Sequence, residues 1–82
     1  MRIRSQSREY LIEATTVRIK KRSRKIVIEA ISAGEGMVDM KLSTIEGALQ
    51  IGEYPDKETA IEEMDRMMMY FVENPFGVYQ MN

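Results

Sequence analysis

The chain of 82 residues contains neither cysteine nor histidine. The lack of cysteine excludes disulfide bonds, thiolate chemistry and cysteine-based zinc sites. The lack of histidine removes the commonest general base and the imidazole metal ligand. A small secreted domain usually needs disulfide bonds, so the composition predicts a cytoplasmic protein. No catalytic or metal-binding motif compensates for these absences, and we expect no enzyme activity, cofactor or metal ion, although carboxylates, lysine and tyrosine remain capable of chemistry.

Long apolar runs are missing as well. The longest covers residues 67–72, whereas a membrane-spanning helix needs ~20 apolar residues. The first residues also lack the apolar stretch of a signal peptide, and we expect no membrane partner. The composition, 44% hydrophobic and 30% charged, is typical of a folded protein. The length supports a single domain over residues 1–82.

Alternation of apolar and polar residues predicts that much of the chain is β-strand. The clearest alternation runs from Thr15 to Lys20, where Val17 and Ile19 are flanked by polar residues, as in a half-buried strand. Predicted strands comprise residues 3–5, 10–21, 26–31, 37–42, 48–54 and 78–81, with turns at 22–24 and at the glycine-containing segment 33–36. The pattern predicts an α+β fold, in which an antiparallel sheet of about five strands carries one amphipathic helix on one face.

The helix is predicted over residues 56–73. Asp56 is a favourable N-cap, because its carboxylate can accept hydrogen bonds from the free N–H groups of the first turn. The Asn74-Pro75 pair ends the helix. Apolar residues recur with the spacing of one helical face. This spacing predicts a core-facing stripe through Ile61, Met64, Met68 and Phe71.

Charge is divided unevenly along the chain. Residues 1–25 hold nine basic and two acidic side chains, whereas residues 26–82 hold three basic and eleven acidic ones. The basic residues concentrate in the hairpin around residues 18–25, where they form a candidate site for phosphates of a nucleic acid or a nucleotide. The candidate contacts are Arg18, Lys20, Arg22, Arg24 and Lys25.

The alternative interpretation of these cations is a solvated hairpin whose charges protect an edge strand from pairing with other chains. Aromatic residues, which single-strand binders interleave with their basic residues, are absent from this segment. The overall pI of about 5.5 is also low for a dedicated nucleic-acid-binding domain.

Methionine is concentrated in the predicted helix, with four in residues 64–69. Methionine fills cores, but it also recurs at adaptable binding surfaces. Met69, Tyr70 and Val72 are difficult to place on the core side of the helix. We therefore interpret these three residues as a candidate surface for a protein partner or for a second copy of the chain in a homodimer.

Three segments resemble a known group of proteins. They are Met1-Arg2-Ile3-Arg4-Ser5-Gln6, then Gly52-Glu53-Tyr54 with the following helix start, and Val78-Tyr79-Gln80-Met81. Together they resemble small uncharacterised proteins of Gram-positive bacteria and their prophages, which share an Ile-Arg-Ser-Gln start, a Gly-Glu-Tyr strand end and a Val-Tyr-x-Met tail. No activity is assigned to that group. The resemblance implies an accessory protein of a mobile element in a bacterial cytoplasm.

The sequence therefore predicts a binding or regulatory protein without catalytic activity, which acts through protein contacts or self-association. The alternative is a nucleic-acid or phosphorylated-nucleotide binder that uses the basic hairpin.

Overall fold

The computed structural model of the protein describes residues 1–32 and 48–82. The predicted strand 37–42 and the turn 33–36 lie outside these residues. The elements in chain order are β1 (Arg2–Arg4), β2 (Leu11–Glu13), β3 (Thr16–Arg22), β4 (Lys25–Ile31), β5 (Ala48–Tyr54), α1 (Lys57–Glu73) and β6 (Val78–Gln80). The α+β class is confirmed, as is a helix packed against an antiparallel sheet, since α1 contacts β3, β4 and β5.

The expectation of one antiparallel sheet of about five strands is wrong, because the strands form two three-stranded sheets. One sheet has the order β2-β1-β6, in which β1 pairs antiparallel with β2 and parallel with β6. The other has the order β3-β4-β5 and is antiparallel throughout. Alternation along a strand identifies its buried face but not its neighbour, so the sequence could not reveal this division.

The predicted strand 10–21 is divided where the chain passes from one sheet to the other. The Ala14 N–H donates to the Met1 carbonyl of the first sheet at 2.7 Å, and the Thr15 N–H donates to the Ile31 carbonyl of the second at 2.8 Å. Successive backbone groups thus serve different sheets. The alternation changes phase at this point, from Ile12 and Ala14 to Val17 and Ile19, but both residues at the break keep their hydrogen bonds and no turn signal marks it.

Gln6 also connects the two sheets, through hydrogen bonds to β5. Its N–H donates to the Ile51 carbonyl at 2.7 Å. Its side-chain Oε1 accepts from the Glu53 N–H at 2.9 Å, while Nε2 donates to the Asn82 carbonyl at 3.0 Å. The register of β4 and β5 shifts between Ile28 and Glu29, which leaves Ile51 without a partner in β4. The Ile51 carbonyl that accepts from Gln6 thus belongs to the residue that the bulge leaves without a register partner.

The β3–β4 hairpin has a two-residue turn, Ser23-Arg24, closed by the pair Arg22 and Lys25. The turn falls within the segment predicted for it. Ser23 has φ of 57°, in the left-handed region that favours glycine, and a serine occupies this position, so the usual turn signal is absent.

The helix begins and ends as predicted. The Asp56 carboxylate accepts from the Thr59 N–H and hydroxyl, both at 2.7 Å, and these hydrogen bonds lower the pKa of Asp56. At the C-terminal end of the helix, the backbone N–H of Asn74 donates a hydrogen bond to the Tyr70 carbonyl. No helix within the described ranges is long and apolar enough to span a membrane.

The centre of the buried face of α1 lies one residue position from the predicted one, although Met64 and Phe71 of the predicted face do pack against the core. Buried side chains are Ala60, Glu63 and Met67, whereas Ile61 and Met68 are 42% and 64% exposed. One position corresponds to a rotation of ~100° about the helix axis. The sequence pattern gave the wrong face because glutamate is normally assigned to the surface, whereas Glu63 is fully buried.

The Glu63 carboxylate is held by donors from three parts of the chain. Oε1 accepts from Arg66 Nε at 3.0 Å and Nη2 at 2.8 Å. Oε2 accepts from Tyr79 Oη at 2.8 Å and from the Asn82 N–H at 2.9 Å. Both carboxylate oxygens therefore accept hydrogen bonds, as a buried polar group requires. Tyr54 completes the cluster by donating its hydroxyl to the Asn82 carbonyl at 3.0 Å.

We expect Glu63→Gln to lower the free energy of unfolding by about 2–3 kcal/mol, because the new NH₂ group faces donors and leaves buried groups unpaired. Urea denaturation at neutral pH measures the change. The matched control is Glu62→Gln on the exposed side of the helix, for which the change stays within about 0.5 kcal/mol. Equal effects of the two substitutions would contradict a specific role of the buried carboxylate.

The raised pKa values of Tyr54 and Tyr79 in this cluster predict that the protein loses stability at alkaline pH. Burial raises the pKa of Tyr54 and of Tyr79, and the Glu63 carboxylate raises both further. In the unfolded chain tyrosine ionises near pH ~10, so above that pH the unfolded state binds fewer protons than the folded state and stability falls. In urea denaturation from pH 8 to 11, the advantage of the wild type over Tyr54→Phe should therefore shrink as the pH rises. A constant or growing difference would contradict this assignment.

Candidate functional site

An open apolar groove lies between α1 and β3, with a volume of about 610 Å³. Its strand wall is formed by Val17 and Ile19, whose side chains are half-buried. Its helix wall contains all four residues that the sequence assigns to the core, together with Met67 and Val72. The apolar helix-wall residues of this groove are Ile61, Met64, Met67, Met68, Phe71 and Val72.

The rotation of α1 explains why the groove is open. The side chains opposite Glu63 are turned away from the sheets, so Met68 and Val72 are 64% and 76% exposed. Met64 and Phe71 remain half-buried and form the floor. An exposed apolar strip of this kind is typical of a binding surface, and methionine side chains adapt to differently shaped partners.

A row of carboxylates borders the groove on the helix side. Asp65 lines the groove itself, Glu58 and Glu62 occupy neighbouring positions on the exposed face of α1, and Glu73 is exposed at the C-terminal end of the helix. We call this row the acidic ridge, and it consists of Glu58, Glu62, Asp65 and Glu73. The apolar strip therefore lies between the hydrophobic core and a negatively charged border.

The predicted partner surface of Met69, Tyr70 and Val72 is not one surface. Tyr70 is half-buried, and its ring packs against those of Phe71 and Tyr79, with centroids 5.2 and 5.4 Å apart. Met69 is 67% exposed but lies outside the groove lining, whereas Val72 lines the groove. Met69, Tyr70 and Val72 point in three different directions around the helix, so they do not form one strip.

The basic hairpin is partly neutralised by carboxylates of the same sheet. Arg18 and Arg22 both pair with Glu29, at 3.0 and 3.6 Å, and the Glu29 side chain is almost completely buried. Lys25 pairs with Glu53 at 3.1 Å. Three of the five candidate phosphate contacts therefore hold carboxylates of the protein. Antiparallel pairing of β3 with β4 places Arg18 beside Glu29, a contact that the sequence did not reveal.

Three further cations of the hairpin have no ion pair with any residue in ranges 1–32 and 48–82. We call them the hairpin cations, and they are Lys20, Lys21 and Arg24. All three are exposed. Lys21 shares the strand face of Val17 and Ile19, whereas Lys20 lies on the opposite face. The exposed positive charge is thus concentrated near the tip of the hairpin, at one end of the groove wall.

No cluster of three or more acidic side chains within the described segments is arranged to hold a metal ion. Comparison of the chain with protein-family models, curated proteins and solved structures finds no match in any of the three. The resemblance to small Gram-positive and prophage proteins stays a prediction. The geometry of the groove and its charged borders is therefore the main basis for a functional proposal.

Proposed function

We propose that this protein is a non-catalytic binding protein that acts through protein–protein contacts, with the groove between α1 and β3 as its binding site. The observation that carries the proposal is the exposed apolar strip of Ile61, Met68 and Val72 beside a half-buried floor. Covering this strip removes apolar surface from water, which is the main driving force for protein association.

The lining of the groove favours a protein segment over a small molecule. Ligand sites usually combine apolar walls with a few precisely placed polar groups that orient the ligand. Here the polar groups lie at the edges, at Thr15, Thr16 and Asp65. Adaptable methionines on an open surface instead suit the side chains of a helix or strand that lies along the groove.

The acidic ridge specifies the charge of the partner. A segment whose apolar side chains enter the groove brings its flanking residues next to Glu62 and Asp65. Basic flanking residues would be attracted there, and acidic ones would be repelled. The partner surface is therefore an apolar segment bordered by lysine or arginine.

The proposal includes an accessory role in a bacterial cytoplasm, and the resemblance described above is its support. In that setting the protein regulates its partner by occupying the partner's apolar, basic segment. This role requires neither a cofactor nor a reactive side chain.

Photo-crosslinking in the cells that produce the protein tests the binding site. A photoreactive amino acid at position 68 lies in the groove, whereas one at position 69 has nearly the same exposure but lies outside the lining. We expect a discrete protein adduct from position 68 and a much weaker one from position 69. Equal yields from both positions, or no adduct from position 68, would overturn the proposal.

Nucleic-acid or nucleotide binding by the hairpin is the alternative function, and the exposed hairpin cations are the observation that supports it. If protein contact is the main function, the purified protein produces no gel shift of single-stranded DNA, duplex DNA or RNA at ~50 mM salt. A salt-sensitive shift that is abolished by Lys20→Glu with Arg24→Glu, but kept by the control Lys57→Glu on the helix, would favour the alternative instead.

A further inference from the structure

We infer that the occupant of the groove is a second copy of this chain, bound in a two-fold symmetric dimer. The inference rests on the proposed function, because it names the partner of the same site. The partner must present an apolar surface bordered by basic residues, and this chain presents one on β3. Val17 and Ile19 supply the apolar part, and Lys21 lies on the same strand face.

The charges that border the two groove walls are opposite. The exposed hairpin cations Lys20, Lys21 and Arg24 lie near the hairpin tip, whereas the exposed carboxylates of the acidic ridge lie along α1. In a two-fold dimer the same surface meets itself, so the helix of each copy faces the strand of the other. The acidic ridge of one copy then lies against Lys21 and Arg24 near the hairpin tip of its partner, at both ends of the interface.

Edge-to-edge pairing of β3 is a competing way to form a dimer, since β3 is the outer strand of its sheet within residues 1–32 and 48–82. That arrangement would bring Lys20 and Lys21 of the two copies close together. Like charges at an exposed edge are a common device against such pairing. The helix–strand arrangement brings opposite charges together instead, and it also covers the exposed side chains of Met68 and Val72, which edge pairing leaves in water.

Association of the purified wild-type chain is the first test. Sedimentation velocity from ~5 µM to ~1 mM should show a concentration-dependent change from 9.5 kDa to twice that mass. Higher ionic strength should weaken the dimer several-fold, because the charged borders are exposed. A strict monomer at ~1 mM would overturn the inference.

Met68→Glu and Met69→Glu form a matched pair for locating the interface. Both methionines are exposed on α1 to nearly the same degree, but only Met68 lines the groove. We expect Met68→Glu to weaken the dimer by about tenfold or more, because it places a charge in the apolar contact. The control Met69→Glu should have a much smaller effect. A dimer that is insensitive to Met68→Glu uses another surface, and that result would also overturn the inference.

Charge reversal tests which charges face each other. In one variant the ridge is reversed by Glu58→Lys, Glu62→Lys and Asp65→Lys. In the other the hairpin is reversed by Lys21→Glu and Arg24→Glu. Each variant alone should dimerise about tenfold or more weakly than the wild type, because like charges then meet at both ends.

An equimolar mixture of the two variants restores attraction at both ends, so native mass spectrometry should detect the mixed dimer in preference to either homodimer. The mixed dimer also shows that both variants are folded, and circular dichroism checks this independently. Two folded variants that form no mixed dimer would overturn the inference.

The photo-crosslink at position 68 separates failure of this inference from failure of the proposed function. An adduct of twice the chain mass supports both. An adduct with a different protein, together with a monomeric wild type, overturns the second copy as occupant and leaves the groove as a binding site. The absence of a position-specific adduct overturns the proposed function itself.

Discussion

The buried carboxylate of Glu63 is the constraint on which much of the structure depends. A charge removed from water is costly unless its oxygens accept hydrogen bonds. Here the donors come from the same helix, from β6 and from the segment that follows β6, through Arg66, Tyr79 and Asn82. Since β6 pairs with β1, the network connects α1 to the first strand of the chain. The rotation of the helix about its axis follows from the position of this one residue.

That rotation links the polar network to the proposed binding site. With Glu63 and Met67 facing inward, Ile61 and Met68 cannot also be buried, because one helix face cannot accommodate both rows. The apolar strip is therefore a direct consequence of orienting the helix by hydrogen bonds. An apolar residue at position 63 would have removed the strongest reason for this orientation.

The second buried carboxylate, Glu29, has the opposite effect on a candidate site. It engages Arg18 and Arg22, so two of the arginines that suggest phosphate binding help to neutralise a charge inside the sheet. What remains is an exposed group of cations near the hairpin tip and an acidic ridge on the helix. This arrangement makes the surface complementary to itself, which an evenly charged surface would not be.

The sequence by itself determined the α+β class, the helix with its Asp56 cap, and the strands β4 and β5, because alternation and capping are local properties of the chain. Only the tertiary structure decided which strands pair, where the chain passes between sheets and which helix face is buried. These features depend on contacts between distant residues, such as Gln6 with Asn82 and Tyr79 with Glu63. A pattern of apolar residues does not reveal which distant residues pair. It also predicts that a glutamate lies on the surface, even where the fold supplies enough hydrogen-bond donors to bury it.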